Sequence, residues 1–370
     1  MRVVRVIAGL EEGGAQLSAL RLSVGLRAAG IQTVRLLAGQ ATPGGLALAR
    51  RYGVDVETYL DPDAEVGPPL QWRYSADFAD WLAPRLADAE LVHAHMVGAW
   101  MAAADAIPAD VPLIASEHNA VTWPWGDFTD QAVRAAARIN AFFAHGPAAH
   151  EFGVSVGICA ARLYEGRSAV EGLAAVPLPS LATPRLTFTG RLHPDKGPDV
   201  LVAALARTKT PVTAYLVGDG PAAAELAARV HDLGLEESVR LVGWSDDPAR
   251  YVAGAAVHVV PSREEAWSQS AVIGMGLGVP VIGTCVEGLP ITLGEDRGIL
   301  VPAEDPEALA RAIDAVLDGS SRPDPALGRA YAHRFSVPEV SARYAAVYAA
   351  LLTIDASPAS PGNGRAPGDA

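Results

Sequence analysis

The chain has 370 residues, half of them hydrophobic and 19% charged, which suits two packed α/β domains and excludes a disordered or fibrous class. Its 29 Lys and Arg against 42 Asp and Glu leave a formal charge of −13. That balance excludes a general electrostatic footprint for nucleic acid or an anionic membrane, so any phosphate must be met by a local cluster of cations.

In chain order, β-branched and aliphatic runs predict strands at residues 3–8, 33–37, 54–58, 91–93, 113–116 and 141–144, alternating with helical patterns. Glu11 and Glu12 stand where a secretory apolar region would have to continue, so no signal peptide is expected and the expected location is the cytoplasm. The alternation implies βαβ units and a first Rossmann-like layer. Residues 176–184 carry three prolines and no helical period, which marks them as the linker and the expected hinge.

Beyond the linker, strands are predicted at residues 186–189, 212–217, 239–242, 256–260, 279–283 and 299–301, a second parallel sheet. A helix over 306–318 is well bounded, with Asp305 as N-cap, Pro306 at its first position and Gly319 after its end. An amphipathic helix is predicted at 340–354, and the Pro, Gly, Ala and Ser tail 356–370 reads as disordered. Expected boundaries are therefore 1–178, 179–337, 338–355 for the C-terminal helix, and 356–370. The apolar stretch 271–286 is broken by glycines and a proline and falls short of the roughly 18 residues of a membrane span. Cys159 and Cys285 show no pairing pattern and read as buried thiols in a reducing compartment.

Several strand ends carry chemistry. Gly13-Gly14 lie between the first strand and a helix, where backbone amides can face an anion; a plain βα turn needing glycine dihedrals fits equally well. Gly190-Arg191 and Lys196-Gly197 bracket a strand-to-helix loop with two cations five residues apart, good positions for a diphosphate clamp. Gly218-Asp219-Gly220 is a tight turn that brings backbone close to a cleft. None of these matches the GxGxxG dinucleotide fingerprint, which disfavours a dehydrogenase. The densest segment, 261–270, holds Glu264, Glu265, Ala266, Trp267 and Ser268 at a helix start, where a carboxylate and backbone amides can meet sugar hydroxyls together. Equally, its two glutamates would complement the helix dipole. In the first half, His93 and His95 end one strand and Glu117-His118-Asn119 end the next. A metal reading of these histidines lacks a supporting carboxylate or cysteine pattern and ranks below catalysis.

Taken together, Gly-Arg…Lys-Gly at 190–197, Gly-Asp-Gly-Pro at 218–221, Pro-Ser…Glu…Gly-Val-Pro-Val at 261–281 and Gly-Leu-Pro at 288–290 resemble family 4 glycosyltransferases of the retaining GT-B type, over nearly the whole chain. The resemblance implies two doubly wound Rossmann-like domains facing a cleft, with the C-terminal helix crossing back to the first domain. It implies transfer of a hexose-type sugar from a nucleotide diphosphate, UDP by preference, to a small hydroxyl acceptor, with no metal and no cofactor beyond that co-substrate. Arg191 and Lys196 would neutralise the diphosphate, and Glu265 would face the transferred sugar. His95 would stand beside that sugar. Gly13, Gly14, Gly190, Gly218, Asp219, Gly243, Ala266, Trp267 and Ser268 would bind the donor, and Glu117, His118 and Asn119 would face the acceptor. Ile273 departs from the pattern, standing where the family's second glutamate meets the ribose. Monomer or homodimer, no stable membrane insertion, and a role in natural-product (aminoglycoside-like) or envelope-glycan synthesis complete the expectation. The alternatives are a non-catalytic partner that keeps the shell, and an epimerase or phosphorylase on the same fold.

Overall fold

The computed structural model describes residues 1–61, 70, 73–118 and 129–354. Two parallel sheets organise the chain. The first contains β1 (Arg2–Leu10), β2 (Gln32–Ala41), β3 (Val56–Thr58), β4 (Leu91–His95), β5 (Leu113–Glu117), β6 (Ile139–Ala144) and β7 (Leu163–Glu165), in the order β3-β2-β1-β4-β5-β6-β7. The second contains β8 (Arg185–Thr189), β9 (Thr213–Val217), β10 (Val239–Gly243), β11 (Val257–Val260), β12 (Val281–Thr284) and β13 (Ile299–Val301), in the order β10-β9-β8-β11-β12-β13. Each order reverses once, between β1 and β4 in the first sheet and between β8 and β11 in the second. This is the doubly wound Rossmann arrangement, whose ligands sit beyond the strand C-termini at the reversal.

Central strands covered by helices on both faces need apolar residues throughout, and β1 is buried from Val3 to Leu10. The short strand β7 extends the first sheet beyond what the sequence predicts; three residues are too few to show an alternation. Predicted and observed ends of the other strands differ by a few residues, most at β2, which runs on to Ala41. Asp305 caps the helix Pro306–Leu317 by accepting from the Ala308 amide at 2.8 Å.

The C-terminal helix, Val337–Ile354, packs on the first domain. Tyr344 and Tyr348 are 1% and 0% exposed, in one cluster with Val3, Leu22, Leu26, Leu91 and Phe143. Burying an aromatic ring of this kind contributes on the order of 2 kcal/mol, which holds the returning chain to the first sheet. Both passages between the domains lie side by side: the Val170 amide donates to the Phe335 carbonyl at 2.8 Å, and Val170 bridges Ser336. Ala169 belongs to the core cluster of the first domain and Val170 to that of the second. The changeover thus precedes the expected hinge. Residues 176–184 are instead fastened to the second domain, where the Val176 carbonyl accepts from Arg250 Nε at 3.2 Å. Proline content marked an irregular segment, but tertiary packing decides which domain keeps it. Cys159 and Cys285 are exposed, not buried, because both sit in the loops that follow regular elements. The tail 356–370 lies outside the described residues, and no helix among those described is long and apolar enough to cross a membrane.

Candidate active site

The two reversal points face one another across a cleft of about 990 Å³. From the second domain the loops after β8, β9, β10 and β11 line it, and from the first domain those after β1, β5 and β6. The domains meet closely at its rim. Gln269 Nε2 donates to the Gly14 carbonyl at 2.6 Å while its Oε1 accepts from Arg21 at 2.9 Å, and Arg51 pairs with Asp246 at 2.9 Å. Gly146, at φ +121°, lets the first domain approach the second: a Cβ there would stand 2.6 Å from the Ala266 carbonyl oxygen.

On the second domain, Gly190, Arg191, Lys196, Gly218, Asp219, Glu265, Ala266, Trp267 and Ser268 all line the cleft. Lys196 Nζ lies 3.2 Å from Glu265 Oε2, 3.8 Å from Asp195 Oδ2 and 3.2 Å from the Glu264 carbonyl. Arg191 pairs with Asp195 at 3.2 Å and is 55% exposed, so its guanidinium is free to turn toward an incoming anion. Glu265 is held in place by the Ser262 hydroxyl at 3.3 Å. Asp199 and Glu304 both engage Arg263, the second pair with close contact at Nε, so this third cation of the region is already committed. The neighbouring carboxylates push its pKa up, and it is not available as a clamp.

The Gly-Asp-Gly turn exists because of close approach. Gly218 has φ +144°, and a Cβ would fall 1.8 Å from the Gly190 carbonyl oxygen. Gly243 does not line the cleft; its carbonyl accepts from the Gly218 amide at 2.8 Å and so holds the turn, while Trp244 and Ser245 beside it reach the cleft. Ser268 caps the helix Gln269–Gly276 by accepting from the Ala271 amide, and the Trp267 ring packs on Phe335 at 4.7 Å. Ile273 lines the cleft as an apolar wall, 7% exposed. One turn earlier on that helix, Ser270 Oγ bonds His258 Nε2 and Thr189 Oγ1, each at 2.7 Å.

The first domain presents the opposite chemistry. Gly13 and Gly14 line the cleft at the start of the helix Gly14–Ala28. Gly13 is extended at φ −130°, so the turn does not need glycine for its dihedrals; a Cβ there would instead meet the Gln16 side chain at 2.3 Å. His118 lines the cleft but His95 does not: it is 2% exposed, one layer behind His118, with its Nδ1 3.3 Å from His118 Nε2. The reason is Arg5, fully buried in the middle of β1, whose guanidinium is in close hydrogen-bond contact with His95 Nε2 and draws that ring inward. Glu117 is also wholly buried, its Oε1 accepting from the His118 amide at 3.0 Å, and so it positions the loop instead of facing the cleft. Asn119 lies outside the described residues. His93 spends both ring nitrogens on Tyr348 and Ser116, at 2.6 and 2.8 Å, which leaves no lone pair for a metal.

His145 carries no motif that singles it out in the sequence, yet it lines the cleft and packs against His118 with the rings tilted by 31° and their centroids 3.8 Å apart. Its signal was present: like His95 and His118 it ends or follows a parallel strand, here just ahead of Gly146-Pro147 and a helix. Ser168 and Tyr344 hold its two nitrogens at 3.3 and 3.2 Å. Burial holds His95 and His145 well below the usual imidazole range, and burial with the Arg5 charge pushes His118 down to about 3.

Residues 183–319 match the family model described as glycosyl transferases group 1, and residues 13–150 match the glycosyl transferase 4-like domain. The chain belongs to the group 1 glycosyltransferases of the family 4 type. This glycosyltransferase is 32% identical over 209 residues to the D-inositol 3-phosphate glycosyltransferase of Streptomyces scabiei, covering 51% of this chain and 45% of that protein. It is 34% identical over 145 residues to the enzyme of the same name from Jonesia denitrificans, covering 36% and 34%. With the lipopolysaccharide core biosynthesis glycosyltransferase LpsE of Rhizobium meliloti it shares 32% identity over 139 residues, 37% and 41% of the two chains. The matched part thus spans less than half the length of these curated relatives. Among solved structures, HepE of Anabaena in complex with UDP superposes with a TM-score of 0.77 at 19% identity, covering 95% of this chain and all of that one. Sucrose-phosphate synthase of Thermosynechococcus elongatus does so at 0.70 and 22% identity, covering 96% and 100%. These likenesses show the GT-B fold.

Proposed function

We propose that this glycosyltransferase moves a hexose-type sugar from UDP to a hydroxyl of a small soluble acceptor in the cytoplasm, with retention of anomeric configuration and without a metal. The observation that carries this reading is the pairing of Lys196 with Glu265 beside Arg191 at the second sheet's reversal point, opposite the Gly14 amide at the helix start; the Gly13 amide is already spent on the Glu11 carbonyl at 2.9 Å. Two cations and a helix start converge where a diphosphate leaving group needs charge, and the carboxylate beside them suits the hydroxyls of its sugar. The binding of UDP by HepE supports the choice of nucleotide.

In the reaction, the acceptor oxygen forms a bond to the anomeric carbon on the face from which UDP departs, the bond from that carbon to the β-phosphate oxygen breaks, and the acceptor proton passes to a phosphate oxygen. Arg191 and Lys196 stabilise the charge that develops on the phosphate; such a donor is commonly worth roughly 3 kcal/mol of barrier. Glu265 is released from Lys196 by the incoming phosphate and turns to the sugar. His118 and His145, neutral and in tilted ring contact, offer the acceptor side an uncharged wall whose hydrogen-bonding edge is that of His118. Gly190, Gly218, Asp219 and the 266–268 backbone shape the donor half.

The names of the relatives suggest inositol-phosphate or glycan acceptors, consistent with roles in small natural products or the envelope. A second reading, a nucleotide-sugar-binding partner without turnover, is favoured by the apolar Ile273 wall alone. Incubating the purified chain with UDP-glucose, UDP-N-acetylglucosamine and D-inositol 3-phosphate, then assigning product anomers by NMR, tests both. Transfer or donor hydrolysis with retention is expected; an inverted product would remove the mechanism, and donor binding with no turnover would select the partner reading.

A further inference from the structure

The buried arginine of β1 is the least explained charge in the molecule. Arg5 is 0% exposed, donates to the Ala19 carbonyl and the Ser23 hydroxyl, and contacts His95 Nε2. A guanidinium has only donors. The nitrogen it meets must therefore accept, so His95 Nε2 carries no proton and the neutral ring has its proton on Nδ1. That Nδ1 lies 3.3 Å from His118 Nε2. Two protonated nitrogens cannot share one contact, so His118 Nε2 accepts in turn, and the proton of His118 sits on Nδ1. Among the described residues His118 Nδ1 has no hydrogen-bond partner, and His118 lines the cleft.

We propose that Arg5 fixes the direction of a hydrogen-bond chain, Arg5 to His95 to His118, so that His118 enters the acceptor side of the cleft as a hydrogen-bond donor and not as a base. Arg5 and His95 are positioning residues; His118 is the residue that meets the ligand. A fixed N–H selects a ligand atom with a lone pair, such as a sugar hydroxyl, ether, carboxylate or phosphate oxygen, and rejects a ligand that offers only a donor there. Leaving that donor facing a second donor would cost the full desolvation of both. The direction is set by an arginine in the middle of β1, five residues before the strand ends at Leu10. This inference deepens the transfer reading without depending on it for its test.

The tautomers can be read directly by long-range proton-nitrogen NMR on the protein alone, with His95→Gln and His118→Asn variants to assign the rings. The expected result is Nδ1–H on both His95 and His118. Nε2–H on either ring overturns the proposal. Arg5→Lys keeps a donor and should keep the pattern; Arg5→Met, if folded, should release His95 to the Nε2–H form that free imidazoles favour. A second measurement separates donor from base in turnover of UDP-glucose. His118→Asn places an amide N–H near the imidazole Nδ1 and should retain activity within about threefold of the parent, whereas His118→Ala should lose about tenfold, the worth of one hydrogen bond to a ligand. Equal losses in the two variants would contradict the donor role. Because the tautomers are observed without substrate, failure of transfer and failure of this chain are separate outcomes.

Discussion

The two reversal points of this molecule handle polarity in opposite ways. At the second, charges lie on loops: Arg191, Asp195, Lys196 and Glu265 are partly exposed and pair with one another within 3.8 Å, the pairs that the proposed diphosphate would exchange. At the first, Arg5, His93 and His95 are sunk behind the cleft while His118 and His145 line it; Tyr344, Tyr348, Ser116 and Ser168 hold the rings, and the imidazoles stay neutral. The difference teaches where each kind of group can work. A leaving phosphate needs mobile charge near water, while an attacking hydroxyl needs fixed, uncharged hydrogen bonds that will not bind the phosphate in its place.

The largest effect is expected from the charged side. Arg191→Ala and Lys196→Ala should each cut turnover of UDP-glucose by about 10²–10³, the usual loss for one donor at a developing charge, with circular dichroism unchanged. Unchanged rates in either variant would remove that residue from the mechanism. Next, Gly218→Ala places a Cβ 1.8 Å from the Gly190 carbonyl at a strained φ, and should destabilise the second domain by roughly 2–4 kcal/mol in denaturant titrations. A midpoint equal to the parent's would mean that the turn is looser than its geometry.

The buried side should show itself through pH. His258, wholly buried beneath Ser270, is pushed down to about 4 by desolvation. Its folded pKa lies below the unfolded value near 6.5, so the unfolded chain binds the extra proton. Its stability contribution is complete above about pH 6.5 and is lost progressively as pH falls toward 4, with a slope approaching 1.4 kcal/mol per pH unit for one such group. Denaturant midpoints of the parent and of His258→Gln, followed from pH 7.5 to 4.5, should converge in acid; parallel curves would place the acid lability elsewhere. Smallest of all, Asp305→Ala should cost about 1 kcal/mol by removing the cap of the helix Pro306–Leu317, with turnover unaffected.

What the sequence disclosed follows the same division. The second-domain lining of the cleft was legible because its pattern is local: Gly190, Arg191, Lys196, Gly218 and Asp219 lie on short turns after strands, where residue type and spacing already imply the backbone path. The sheets were legible for the same reason, as apolar runs of strand length alternating with helices. The first-domain site was not, because it is assembled across strands. Nothing in the neighbourhood of Arg5 announces that it will meet His95, 90 residues away, and pull it behind His118. Glu117 looked like a cleft residue and is a buried support, since the last residue of a parallel strand can point either way and only the packing of the adjacent elements decides. The change from one core to the other was hidden for a related reason: prolines reveal irregular chain at 176–184, whereas the core clusters change over between Ala169 and Val170, where Val170 bonds Phe335 from a distant segment.

In the proposed mechanism a UDP diphosphate is held between Arg191, Lys196 and the Gly14 amide. Calorimetric titration of UDP into the parent and into the Lys196→Ala and Arg191→Ala variants tests it most directly. Saturable binding to the parent, weakened about tenfold or more in each variant, is the predicted result. Binding that is absent from the folded parent, or equal in all three proteins, would contradict it.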